Sequence, residues 1–260
     1  MFPREPLTRR IELLRRLTTL ERLSLGVGNL LHDYQIRYFF FGLDRSLSLV
    51  RMQLLALHNL PLPWAQQYFS DELFKLDPTV RYAHAHHQPI AWQQLQEMSC
   101  CAGPDTLPVL RQHQQHGLRS GYTLPLRSHG GATAWLTLAC SEQNEASQAL
   151  LHAFLPKAVL LAFTLQDCAL RLAPLLPAGQ PLLSDRERAC LALASDGLTN
   201  AEIGTTLGVS DRTAIYHITN ACRKMGARNR QQAITRALLT GQLGGPSPLA
   251  PQMEPRRTPP

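Results

Sequence analysis

The stretch SDRERACLALASDGLTNAEIGTTLGVSDRTAIYHITNACRKM, from Ser184 to Met225, contains three helix starts in close succession. Ser184-Asp-Arg-Glu187 and Thr199-Asn-Ala-Glu202 are capping boxes, in which the hydroxyl accepts from the third helical amide and the glutamate reaches back. Ser210 caps a third helix, and Gly197, Gly208 and Gly226 stand where helices stop. This punctuation predicts helices to about Ala194, to Leu207 and to about Met225, with a last one over roughly Arg230 to Thr240. Two helices joined by a tight glycine-bearing turn, the second polar and basic, describe a helix-turn-helix. Leu191, Ile203, Leu207, Ile218, Cys222, Met225 and Ala233 supply its small core. Residues 184–243 hold eight Arg/Lys against five Asp/Glu, so binding to nucleic acid would depend on where the charges sit.

The whole chain of 260 residues is 44% hydrophobic and 17% charged, an ordinary globular composition with room for two modest domains. A net charge of +7 favours an acidic partner, nucleic acid first and an anionic membrane surface next. Arg4, Arg9, Arg10, Arg15 and Arg16 are followed by no apolar run of signal-peptide length, and no uninterrupted apolar span suggests a membrane helix. A cytoplasmic protein is expected. Six cysteines (Cys100, Cys101, Cys140, Cys168, Cys190, Cys222) form no C-x-x-C pair, which suits reduced thiols, with packing favoured over a redox role for Cys100-Cys101.

Upstream, residues 7–33 read as largely helical, with the arginines on a solvated face. Ile36 to Phe41 and Leu49 to Leu57 are strand-like. Trp64 to Leu76 has helical spacing, Pro63 suits its first turn, and Asp77-Pro78 closes the segment. Tyr122 to Leu126 and Ala132 to Cys140 are expected to pair through His129-Gly130-Gly131. Alternation sets Ala134, Leu136, Leu138 and Cys140 against Trp135, Thr137 and Ala139 on the other face. A long apolar helix follows over about Glu145 to Leu172, with Pro156 as a kink or divide. Strands between long helices indicate an α+β domain. The domains are thus expected at 7–172 and 184–243, separated by a proline-rich linker at 173–183 and followed by a disordered tail at 244–260.

Leu183-Ser-Asp-Arg-Glu-Arg188, Gly197-Leu-Thr-Asn-Ala-Glu-Ile203, Ser210-Asp-Arg-Thr213, His217 and Arg223-Lys224-Met225 closely resemble the LuxR-type helix-turn-helix over about 60 residues. The resemblance makes Thr199 to Leu207 the scaffold helix and Ser210 to Met225 the recognition helix in the major groove. It places Ile215, Tyr216 and Thr219 toward the bases, and Arg212, Thr213, Arg223 and Lys224 mainly on phosphates. Ile215 departs from the polar or basic residue often found there; it can touch a thymine methyl but makes no bidentate bond. His217 reads as structural.

Asn59-Leu60-Pro61, Trp64, Tyr68, Asp77-Pro78-Thr79-Val80, Pro89, Trp92, Gly121 and Pro125 resemble the acyl-homoserine-lactone-binding domain that precedes such heads, over about residues 10–170. The implied fold is an α/β/α sandwich around an antiparallel sheet, followed by an all-α, four-helix helix-turn-helix domain. The implied ligand site is Trp64, Tyr68, Asp77, Thr79, Trp92, Trp135 and Thr137. Trp64 would donate to the lactone carbonyl, Asp77 would accept the amide N–H, Thr137 would donate to the amide carbonyl, and Tyr68 and Trp92 would wall the head group. Asp77 also reads as an ordinary turn aspartate. Two departures matter. Leu60 replaces a tyrosine donor of the family, and Trp135 fills volume that a long acyl tail needs.

The expected protein is a homodimeric quorum-sensing transcription regulator on dyad-symmetric double-stranded DNA, controlled by an autoinducer, with no membrane partner and no further cofactor. The alternative keeps the fold without the ligand, as an orphan regulator or heterodimerising antagonist. A lactone- or ester-cleaving enzyme lacks a G-x-S-x-G elbow. His84, His86 and His87 lack the spacing of a metal set, so no metal is expected.

Overall fold

A computed structural model describes residues 6–44, 53–101, 107–127, 133–173 and 182–243. The described residues divide into two compact units: an N-terminal unit holding the sheet, and a helical C-terminal unit over residues 182–243.

In the N-terminal unit, five strands form one antiparallel sheet in the order β2-β1-β5-β4-β3. They are β1 (Tyr38–Asp44), β2 (Leu54–His58), β3 (Ile90–Ala91), β4 (Ser120–Arg127) and β5 (Thr133–Cys140). Every residue of β5 is buried, so both faces of the sheet centre are covered. On one face Phe39, Phe41, Leu43, Ala134, Leu136, Leu138 and Cys140 pack into the main core. That core is closed by α1 (Leu7–Arg15), α2 (Leu20–Asp33) and α6 (Glu145–Leu172). The other face carries Tyr38, Phe40, Thr137 and Ala139 and belongs to the site described below. With α3 (Leu62–Ser70), α4 (Pro78–Ala85) and α5 (Leu107–Gln115), the unit is the expected helix–sheet–helix sandwich.

Local chemistry explains where the expected elements shift. The helical stretch 7–33 is two helices, because the Thr19 hydroxyl accepts the Arg22 amide at 3.2 Å and starts α2 afresh. The stretch from Trp64 to Leu76 also splits: α3 stops at Ser70, Glu72 adopts φ +52°, and a single 3-10 turn covers Leu73–Lys75. Asp77-Pro78 opens α4 rather than closing what precedes it, with Asp77 as the cap and Pro78 in the first turn. Pro156 neither ends nor divides α6; it is exposed, and so is His152, whose carbonyl it leaves without an amide donor, so water can satisfy it. By length and apolarity α6 passes as a membrane span, and Leu151, Phe154, Ala158, Leu161, Ala162 and Leu165 on it are buried in the core. The His129-Gly130-Gly131 connection, most of the 173–183 linker and the 244–260 tail lie outside the described residues.

Among the described residues the C-terminal unit has four helices: α7 (Asp185–Ser195), α8 (Asn200–Leu207), α9 (Asp211–Lys224) and α10 (Arg230–Leu239). Both capping boxes form, and Ser210 accepts from the Thr213 amide at 3.1 Å. Gly208 turns the chain at φ +66°. Gly204 lets α8 and the start of α9 close up, since a Cβ there would lie 2.8 Å from the Val209 carbonyl. Two small clusters hold the unit, one around Leu191, Ala221, Met225 and Ala233, the other around Cys190, Leu193, Ile203 and Ile218. Leu207 and Cys222 join them only partly buried.

Candidate functional site

On the second face of the sheet, α3, α4 and α5 bring a set of polar groups into a buried interior. Asp77, 1% exposed, is saturated with donors. Its Oδ1 accepts the Thr79 amide at 2.8 Å and the Thr79 hydroxyl at 2.7 Å. Its Oδ2 accepts the Tyr68 hydroxyl at 2.7 Å and faces His113 Nε2 at 2.9 Å. An ionised carboxylate offers about four lone-pair sites, and all are taken. Burial by itself would raise the Asp77 pKa, but the neighbouring His113 and these hydrogen bonds prevail and hold it below the usual carboxylate range. Burial, and then the Asp77 charge, push the Tyr68 phenol well up, so it stays a donor.

His113, on α5, is the residue sequence reasoning missed. Its Nδ1 accepts the Trp64 indole N–H at 3.2 Å. An indole can only donate, so Nδ1 carries no proton and Nε2–H donates to Asp77. One imidazole thereby bridges Trp64 and Asp77, and its ring packs against Trp64, Tyr68 and Trp92 at centroid distances of 5.1, 5.8 and 5.3 Å.

The cavity beside this relay is about 10 Å³, space for one water. Tyr68, Asp77, Thr79, Trp92 and Thr137 lie on its wall, together with Leu60, Phe40 and His113; Trp64 and Trp135 do not. Thr79 is committed to Asp77 by both of its donors. Thr137 meets Thr123, a second residue sequence reasoning missed, at 3.2 Å, and Thr123 accepts the Trp92 indole at 3.2 Å. Either hydroxyl can donate in the Thr123–Thr137 pair; where Thr123 donates, the Thr137 proton is left for the cavity.

Trp135, fully buried, lies parallel to Phe40 with centroids 6.3 Å apart. Gly42 makes room for it, because a Cβ there would stand 2.3 Å from the indole ring. Its Nε1 is buried without a hydrogen-bond partner.

The C-terminal unit offers a different surface. Along α9, Arg212, Ile215, Tyr216, Thr219 and Arg223 are exposed together, while Ala214, Ile218 and Ala221 face the core. Thr199 and Ser210 are exposed at the starts of α8 and α9, with their hydroxyls on Glu202 and Thr213. Lys224, expected on a phosphate, has partners within the unit. Its ammonium is tied to Glu187 Oε2 at 2.7 Å and to the Leu182 carbonyl at 3.0 Å. Burial would raise the Glu187 pKa, but Lys224 and the Ser184 amide hold it below normal. Two further cations are spent on helix ends. Arg230 donates to the carbonyls of Ala194 and Leu198, and Arg236 to those of Met225 and Gly226. The basic excess of the segment is therefore only partly free for a polyanion.

Residues 19–169 match the autoinducer binding domain family, and residues 181–237 match the luxR family of bacterial regulatory proteins. The chain belongs to the LuxR family. The transcriptional activator VanR of Vibrio anguillarum is 30% identical over 86% of this chain and 90% of its own length. The crystal structure of Escherichia coli SdiA superposes with a TM-score of 0.72 at 22% identity, covering 90% of this chain and 96% of that one. A structure of SdiA in complex with octanoyl-rac-glycerol gives the same score and identity, covering 93% and 98%. This LuxR-type chain is thus a transcription regulator, not an enzyme, with a small-molecule domain ahead of a DNA-binding helix-turn-helix.

Proposed function

We propose that this LuxR-type regulator senses an N-acyl-homoserine lactone with a short acyl tail and acts in the cytoplasm as a homodimer on a dyad-symmetric operator. The observation that carries the reading is the buried group of Trp64, Tyr68 and Asp77 beside a small cavity, in a domain of the autoinducer-binding family. With His113 displaced, a lactone would bring an N–H for Asp77 and a carbonyl for the Trp64 indole, and its second carbonyl would face the Thr137 hydroxyl. Trp135, seated over Gly42, takes up volume that a longer tail needs. The exposed row Arg212, Ile215, Tyr216, Thr219 and Arg223 supports α9 as the reading helix, with Thr199, Ser210 and Thr213 near the backbone.

Thermal unfolding of the full chain against lactones of increasing tail length tests the proposal. The expected result is a raised Tm with four- to six-carbon tails and none with twelve; no shift with any member contradicts it. One observation favours a second reading, a ligand-independent regulator or heterodimerising antagonist: the cavity is about 10 Å³ and its polar groups are already paired. Operator affinity indifferent to every lactone would establish that reading.

A further inference from the structure

The Trp64–His113–Asp77 relay has a chemical pattern of its own. His113 is 5% exposed and presents an acceptor, Nδ1, to the Trp64 indole N–H, and a donor, Nε2–H, to a full carboxylate. A small molecule that is to engage both Trp64 and Asp77 needs that same pair, one acceptor and one N–H, in the same space. Of the four donors on Asp77, two come from Thr79 two residues away in the same helix cap. A third, Tyr68, is held by Phe40 at 5.7 Å and Trp64 at 5.3 Å. His113 comes from a separate helix, 36 residues along the chain, and its displacement frees Trp64 and Asp77 together.

We infer that His113 is a built-in occupant of the ligand head-group seat and the specificity-determining residue of the cavity. Ligands must carry an adjacent acceptor and N–H donor, as amides and N-acylated lactones do, and must evict the imidazole to bind. Head groups with acceptors only, such as simple esters, cannot replace both bonds, because Asp77 would lose a donor that nothing restores. The inference deepens the lactone reading and rests on it for the identity of the natural ligand. It does not rest on it for the seat itself.

The experiment compares the full-length wild type with His113→Ala by thermal unfolding, alone, with free imidazole, and with N-butanoyl-homoserine lactone. Expected are a lower Tm for His113→Ala, a rise on adding imidazole in that variant and none in the wild type, and lactone half-saturation at least tenfold lower in the variant. Imidazole acting equally on both proteins, or tighter lactone binding by the wild type, overturns the inference. Imidazole rescue without lactone binding in either protein supports the seat and overturns the lactone reading instead. Should His113→Ala not fold, the Trp64 indole N–H resonance of the wild type decides. Its movement on lactone addition supports eviction, and an unmoved resonance under saturating lactone overturns it.

Discussion

His113 Nε2 stands 2.9 Å from Asp77 Oδ2, in a relay that starts at the Trp64 indole and ends on the Asp77 carboxylate, to which the Tyr68 and Thr79 hydroxyls also donate. Asp77→Asn keeps the shape but removes the charge and turns one acceptor into a donor facing other donors. A loss of about 1–3 kcal/mol is expected, the cost of leaving a buried donor without its acceptor. The chain has three tryptophans, Trp64, Trp92 and Trp135, all in the sensory unit, so their fluorescence reports its unfolding alone. An unchanged fluorescence midpoint would contradict the role given to the carboxylate.

Glu187 gives a pH dependence with a definite sign. Its folded pKa is depressed, so its contribution is complete above the unfolded value, about 4.3, and is lost as pH falls through the folded one. Operator binding and circular dichroism of the C-terminal unit should weaken as pH drops below about 4.5. Glu187→Gln should lower stability at pH 7 and flatten that acid limb; a variant with the wild-type acid slope would contradict it.

Arg223 and Lys224 are neighbours with different tasks. Arg223→Ala should weaken DNA binding across all sequences and reduce the salt slope by about one. Lys224→Ala should leave the slope alone and cost about 1–3 kcal/mol of stability, since it strips a buried carboxylate of its cation. Equal slopes lost by both would return Lys224 to the phosphate contacts. Ile215→Arg, on an exposed position, should change stability by no more than about 0.5 kcal/mol yet alter the preferred base at one operator position.

Much of this was legible along the chain, and the exceptions share a cause. Helix caps and stops such as Ser184, Thr199, Gly208 and Ser210 act within a few residues, so the sequence carries them whole. The face alternation of β5 is equally local. Trp64, Tyr68, Asp77, Trp92 and Thr137 come from four elements and were found by family register rather than by spacing. His113 sits in Gln112-His-Gln-Gln-His116, which reads as a polar helix face; its bond to Trp64 spans 49 residues and exists only because α5 packs there. Lys224 shows in the sequence as part of a basic run, while its Glu187 partner lies 37 residues earlier. Asp77 was placed at the wrong helix end, since Asp-Pro both stops one helix and starts another.

Trp135 and Gly42 form a matched pair. Gly42→Ala drives a methyl into the indole and should cost about 1–3 kcal/mol by overpacking. Trp135→Leu should widen the set of lactones that raise the Tm toward longer tails, read by thermal shift across a tail-length series. The same ranking of tails in wild type and variant would remove Trp135 from the ligand account.

The most direct measurement is selection of bound DNA from a random pool by the full-length protein, with and without N-butanoyl-homoserine lactone. A dyad-symmetric site whose enrichment rises at least tenfold with the lactone is the predicted result. The same site, equally enriched whether or not lactone is present, would contradict ligand control of the helix-turn-helix.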